Sequence, residues 1–254
     1  TNRKVKTETW KALRMGKLTG TAFDKEDASD VILEGKPTPR PKDAATLILV
    51  RRDTEYPRVL MGKRSGRHDF MPDKYVFPGG RVDPQDGRPV AYSELNQQVE
   101  EKLRFKTQRT PRAFAMTAIR ETFEETGLLL GKTAEMPAKA PAGWQRLYDM
   151  DIAPNLSPLD YIGRAITPPY RPKRFDARFF MAEAEQILID ERPPVDGAEL
   201  HDLQWVTLND SLDLDLPNVT RFMLGEIGER LKGNTPSGPP FLRWTRTGHT
   251  TDRI

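Results

Sequence analysis

The sequence predicts a mixed fold, α/β or α+β, built as one domain with additions. Three observations point there. Apolar runs of strand length alternate with segments of helical period, the pattern of layered α/β and α+β folds. The 254 residues are 30% charged and 37% hydrophobic, a balance that supports a buried core rather than disorder. No repeat of solenoid length and no low-complexity tract interrupts the chain.

Residues 1–42 read as a basic N-terminal arm ending in a Pro-rich linker. Arg3, Lys4, Lys6, Lys11, Arg14 and Lys17 face one acid, Glu8, so the first 20 residues carry +5 and the other 234 carry −2. The basic balance therefore describes the arm, and it gives no reason to expect a nucleic-acid partner. Pro37, Pro39 and Pro41 mark the linker.

The domain is expected over 43–232. Ala44–Val50 is a continuous apolar run, as in a strand covered on both faces. A turn over Asp53–Pro57 leads to a strand near Arg58–Gly62. Tyr75-Val76-Phe77-Pro78 ends a strand, and Gly79-Gly80 reads as a tight turn. A helix is expected near Ser93–Phe105, with Val99 and Leu103 on one side. Pro111 opens a stronger helix that runs to Thr126, where Gly127 stops it. Residues 132–160 read as loop with a short helix around Trp144–Met150. Strands follow at Phe175–Ala184 and Leu203–Leu208, then an amphipathic helix over Asn218–Lys232 behind Pro217. Residues 233–254 read as a C-terminal tail.

Several chemistries are excluded. Cysteine is absent, so there are no disulfides, thiolate metal sites or cysteine nucleophiles. His68, His201 and His249 are the only histidines, too few and too scattered for a histidine metal site. The longest apolar run, Ala44–Val50, is far short of the ~20 residues that span a bilayer, so no membrane partner is expected. No secretory signal is read at the start and no Ser-Lys-Leu at Thr251–Ile254, and the expectation is a cytoplasmic protein.

The informative segment is Arg120-Glu121-Thr122-Phe123-Glu124-Glu125-Thr126-Gly127. On a helix, Ala115, Met116, Ile119 and Phe123 form the apolar face. Glu121, Glu124 and Glu125 share the opposite face at i,i+3 and i,i+4 spacing. Like charges so placed destabilise a helix unless something neutralises them. Arg120 can offset one. A hard divalent cation such as Mg²⁺ suits the others, because it prefers oxygen ligands. A solvated acidic face is the plainer alternative.

This segment resembles the second half of the Nudix hydrolase signature, through Leu128. The first half is matched by Phe77-Pro78-Gly79-Gly80 and on to Asp86, which stands where the family has its first Glu. Asp keeps the charge and shortens the reach. Thr122 replaces an aliphatic residue. The spacer from Asp86 to Arg120 holds 33 residues instead of seven, an insertion of 26, centred on about 87–110. The resemblance covers roughly Asp43 to Lys232.

It implies a Nudix-type α/β/α sandwich with a mixed central sheet and an inserted helical segment. It also implies metal-dependent hydrolysis of a nucleoside diphosphate linked to another moiety, with Mg²⁺ or Mn²⁺ as cofactor. Glu121, Glu124 and Glu125 and the Gly80 carbonyl would be metal ligands. Arg120 would hold a glutamate in place, and it is counted with Glu125 and Glu199 in the catalytic set. Glu199, six residues before Trp205, is the candidate final ligand or general base, with Asp202 in reserve. Lys63, Arg64, Arg67 and Arg81 could meet phosphates, with Arg64 and Arg81 the chosen pair.

Leu60–Ser65, the split signature and Thr167-Pro168-Pro169 with Arg174–Phe180 resemble the peroxisomal CoA-diphosphatase branch. CoA or acyl-CoA is thus the first substrate expected, ahead of ADP-ribose, nucleotide sugars and dinucleoside polyphosphates. A non-catalytic nucleotide-binding module of the same fold is the second reading. Nudix enzymes are often dimers, which makes a homodimer an expected partner.

Overall fold

The computed structural model describes residues 37–66, 71–234, 237–245 and 248–254. The basic arm, Arg67 and His68 lie outside the described residues.

The first strand, β1 (Lys42–Arg51), runs through the middle of a mixed nine-stranded sheet. Leu47, Ile48, Leu49 and Val50 are fully buried, as a strand covered on both faces requires. Along one side it pairs parallel with β8 (Phe175–Glu183). Its other side is shared. The start pairs antiparallel with β4 (Gly79–Arg81) and the end with β2 (Arg58–Arg64). Beyond β2 lie β3 (Tyr75–Val76) and β9 (Leu200–Thr207), both antiparallel to it. Beyond β8 come β7 (Asp160–Ile166), then β10 (Pro240–Thr245) and β11 (Gly248–Arg253). A separate small ladder joins β5 (Lys132–Thr133) to β6 (Ile152–Ala153).

Each face of the sheet carries its own core. Ala45, Leu47 and Leu49 of β1 pack against Phe114, Met116, Ile119 and Phe123. The alternate residues Ile48 and Val50 pack against Met223, Leu224 and Ile227. The two-residue period of β1 thus splits its apolar run between two helices. The helices are α1 (Gln97–Leu103), α2 (Pro111–Thr126), the single turns α3 (Gln145–Tyr148), α4 (Ala184–Ile187) and α5 (Leu208–Ser211), and α6 (Asn218–Leu231). The result is the α/β/α sandwich expected from the sequence. No helix among the described residues is long and apolar enough to cross a membrane.

The long helix α2 occupies its expected span. The Thr110 hydroxyl accepts from the Ala113 N–H at its start, Pro111 takes the first position, and Gly127 closes it in the left-handed conformation at φ 70°. Helix α1 buries Val99 and Leu103 as expected but begins at Gln97 rather than Ser93. The Ser93 hydroxyl accepts from the N–H groups of Leu156 and Ser157 instead, which holds residue 93 against the returning chain.

The pair Gly79-Gly80 is not a turn. It is strand β4, in register with Thr46 and Ala45. A Cβ on Gly79 would sit 2.5 Å from the Ala45 carbonyl oxygen, so only glycine lets the two strands approach this closely. Strand β9 begins at Leu200, three residues earlier than the sequence suggests. Strands β10 and β11, which fall within the expected tail, pair antiparallel with each other, and β10 pairs parallel with β7. Phe241 and Leu242 are buried there, and the Arg253 guanidinium donates to both oxygens of the buried Glu226.

Candidate functional site

Helix α2 enters the site through Arg120. Its guanidinium donates to both oxygens of Asp86, at 2.8 and 3.0 Å, and also reaches Glu121 at 2.8 Å, Glu124 at 2.9 Å and the Arg81 carbonyl at 3.2 Å. Asp86 is fully buried and also accepts from the Thr117 hydroxyl and the Trp144 indole N–H. Burial works against the Asp86 charge, yet these bonds outweigh it and hold its pKa below the usual range. Burial likewise opposes the charge of Arg120, and its acidic neighbours outweigh that and raise its pKa. The residue in the first Glu position therefore anchors Arg120. Thr117 and Trp144, which support that anchor, were not read from the sequence. No motif marks them, because a buried hydrogen bond to an apolar-looking Trp leaves no pattern.

Glu121 and Glu125 lie one turn apart against β4. The Gly79 N–H donates to Glu125 Oε2 at 2.8 Å. A Cβ on Gly80 would sit 2.5 Å from the Glu121 carboxylate, so glycine here lets the carboxylate lie against the strand. Both acids are poorly compensated. Burial, the largest effect, pushes Glu125 up to about 8. The Gly79 N–H and Arg64 oppose this, while Glu121 and Glu199 add to it. Burial pushes Glu121 up to about 7 against the pull of Arg120, with Glu124 and Glu199 raising it further. Glu124 is near Glu121 but turned to Arg120, and its side chain is 39% exposed.

Glu199 reaches this cluster from the other end of the chain. The loop before β9 is clamped to the end of α2 by the Val195 N–H, which donates to the Thr126 carbonyl. The Asp196 carboxylate accepts from the N–H groups of Asp202 and Leu203. This local turn fixes the loop that carries Glu199. Asp202, the reserve candidate, points elsewhere. It accepts a short hydrogen bond from the Tyr75 hydroxyl, which raises the Tyr75 pKa to about 12. His201 sits in β9 opposite Lys63. Trp205 lies in the same strand under the Arg51 guanidinium, 4.2 Å away.

A cavity of about 400 Å³ opens beside these acids. Glu121, Glu199, Gly79, Gly80, Arg64 and Arg81 line one end. Arg64 is close enough to feel Glu125, Glu199 and Glu121, although burial dominates and lowers its pKa. Arg81 is exposed, and it also lines a second hollow with Glu121, Arg120 and Gly143. The structure thus brings together Glu121, Glu125, Glu199, Gly80, Arg64 and Arg81. It leaves Asp202 and Lys63 off the cavity wall, and it joins Glu124 through Arg120.

Among the described residues, no three acidic or histidine side chains converge tightly enough to cage an ion alone. The donor set still fits a hard cation. Burial raises the pKa of both Glu125 and the partly buried Glu121, so their ionised forms lack full compensation and would gain from a cation. Mg²⁺ takes one or two carboxylates and completes its shell with water and phosphate oxygens, so it needs no all-protein cage.

No family model matches the chain. A putative nudix hydrolase 7 of Caenorhabditis elegans is 29% identical over 195 residues, covering 70% of this chain and 56% of that protein. The acyl-coenzyme A diphosphatase NUDT19 of Xenopus laevis is 24% identical over 246 residues, covering 68% and 63%. The chain therefore spans less than two thirds of either relative. Among solved structures, a NUDIX hydrolase from Alicyclobacillus acidocaldarius is 28% identical, with a TM-score of 0.55 over 73% of this chain and 90% of that one.

Proposed function

We propose that this chain, which belongs to the Nudix hydrolase superfamily, hydrolyses the diphosphate bond of a nucleoside diphosphate joined to a second moiety, and that CoA or acyl-CoA is that substrate. The observation that carries the reading is the pair Glu121 and Glu125 held against Gly79-Gly80, with Glu199 and Arg64 beside it. The similarity to an acyl-coenzyme A diphosphatase favours the CoA assignment over ADP-ribose, nucleotide sugars and dinucleoside polyphosphates.

In this reading Glu121, Glu125 and Glu199, with the Gly80 carbonyl and with water and phosphate oxygens completing the shell, would hold Mg²⁺ or Mn²⁺. When bound, such a cation would supply charge neutralisation for the diphosphate and a more acidic water. Arg120 positions Glu121 and Glu124 and does not touch substrate. Arg64 and Arg81 meet phosphate oxygens. Glu199, on a loop fixed by Asp196, is also placed to take a proton from the attacking water.

The test is incubation with Mg²⁺ or Mn²⁺ and a panel of CoA, acyl-CoA, ADP-ribose, nucleotide sugars and dinucleoside polyphosphates, with the products resolved. Metal-dependent cleavage of CoA into two phosphorylated fragments is expected. Tight nucleotide binding with no cleavage under either metal would instead establish a binding module.

A further inference from the structure

The cavity beside the acids has a floor that the diphosphate reading does not use. Ala44 of β1, Ala177 of β8, Ala165 of β7 and Leu242 of β10 stand in register across four neighbouring strands, and all four line the cavity. Residues in register present their side chains to the same face of a sheet. The floor therefore ends in methyl groups for most of its length. The adjacent row is closed, because Gly163 stands opposite Phe179 and the Met223 methyl lies 2.6 Å from where a Cβ on that glycine would be. Ala165 and Ala177 are only partly buried at the edge of the core, and their methyls border the open volume of the cavity.

One end of the row is Arg81, paired with Ala44 beside the acidic cluster. The other is Leu242, in β10. The walls are mainly apolar, including Phe77, Phe179, Pro168, Pro217 and Val219. Thr167, Thr220, Arg171 and His249 supply the few polar groups at that end. A sugar would bury several hydroxyls there with too few partners to replace water. An extended chain with occasional amide-like groups would bury mostly carbon and find enough partners.

We propose that the alanine row is a specificity floor for the non-nucleoside arm of the substrate, and that this arm is slender, extended and mostly apolar. The proposal rests on reading the site as a diphosphate site, and it assigns Ala165 and Ala177 a selecting role. Leucine at either position adds three carbons to the floor and shortens the space over it.

The experiment is calorimetric titration of the full chain without metal, using CoA and ADP as probes. The ADP is used as its 3′-phosphate, which matches the nucleotide half of CoA and so carries the diphosphate and nucleoside but lacks the arm. The wild type should bind CoA more tightly than ADP. Ala165→Leu and Ala177→Leu should each lower the CoA-to-ADP affinity ratio by about tenfold or more, the scale of a misfit in an apolar pocket. If a leucine variant fails to fold, Ala165→Val and Ala177→Val should shift the ratio the same way by less. Equal weakening of both probes would overturn the proposal by placing the nucleoside over the floor, and an unchanged ratio would overturn it outright. A wild type that does not prefer CoA would also overturn it, whatever diphosphate it cleaves. A CoA preference that the variants reduce, in a protein that hydrolyses nothing, would sustain the floor and sink the reaction.

Discussion

The Asp86 carboxylate and the Arg120 guanidinium meet through two hydrogen bonds, of 2.8 and 3.0 Å, across 34 positions of sequence. The chain between them passes through α1 and returns along α2, which brings Asp86 and Arg120 into contact. The pairing pins the two ends of this segment together, so its length can vary without moving the helix that carries Glu121 and Glu125.

Asp86→Ala would leave Arg120 buried with one partner fewer. The expected cost is about 3–5 kcal/mol, the range for breaking a buried pair. Trp144→Phe removes one hydrogen bond to the same carboxylate and should cost only about 1 kcal/mol. Urea unfolding of the two variants checks the order.

Acid should act through the same carboxylate. The folded pKa of Asp86 lies below its unfolded value, so its stabilisation is complete above the unfolded pKa of about 3.9. It is lost as pH falls through the folded pKa. The wild type should lose stability in that window, and Asp86→Asn should lose less over the same window. Melting curves from pH 6 downward read both.

Cation binding should release protons. Glu121 and Glu125, pushed up to about 7 and about 8, are partly protonated near neutrality without metal. A cation needs them ionised, so Mn²⁺ added in weak buffer at pH 7 should acidify the solution. Glu125→Gln should release fewer protons, and an equal release would remove Glu125 from the ligand set.

Asp202 should govern Tyr75 rather than turnover. Asp202→Asn should bring the Tyr75 titration from about 12 back toward the ordinary value of about 10, read by tyrosinate absorbance. The same substitution should slow hydrolysis much less than Glu199→Gln. The opposite order would return Asp202 to the site.

The sequence showed most where one local pattern decides structure. Pro111, the carboxylates and Gly127 delimit α2 without outside help. The family resemblance pointed to Glu199, which lines the cavity. What was not legible depends on partners far along the chain. Gly79-Gly80 looks like a turn until Ala45 and Thr46 are seen packed against it. Strand β7 hides behind Asp160, Gly163 and Arg164, and Arg164 is buried only because Asp176 on β8 pairs with it at 2.7 Å. Strands β10 and β11 are of mixed polarity, and only Pro240, Phe241 and Leu242 are buried in them. The alanine row exists only in register, with Ala44 more than a hundred residues from Ala165 and Ala177.

The most direct test is the rate of metal-dependent CoA cleavage by the wild type, Glu125→Gln and Glu124→Gln. Loss of a buried metal-holding carboxylate removes several kcal/mol of transition-state stabilisation, so Glu125→Gln should fall by about 100-fold or more. Glu124→Gln, whose carboxylate is turned to Arg120, should fall by much less. Full activity in Glu125→Gln, with the variant folded, would contradict the account.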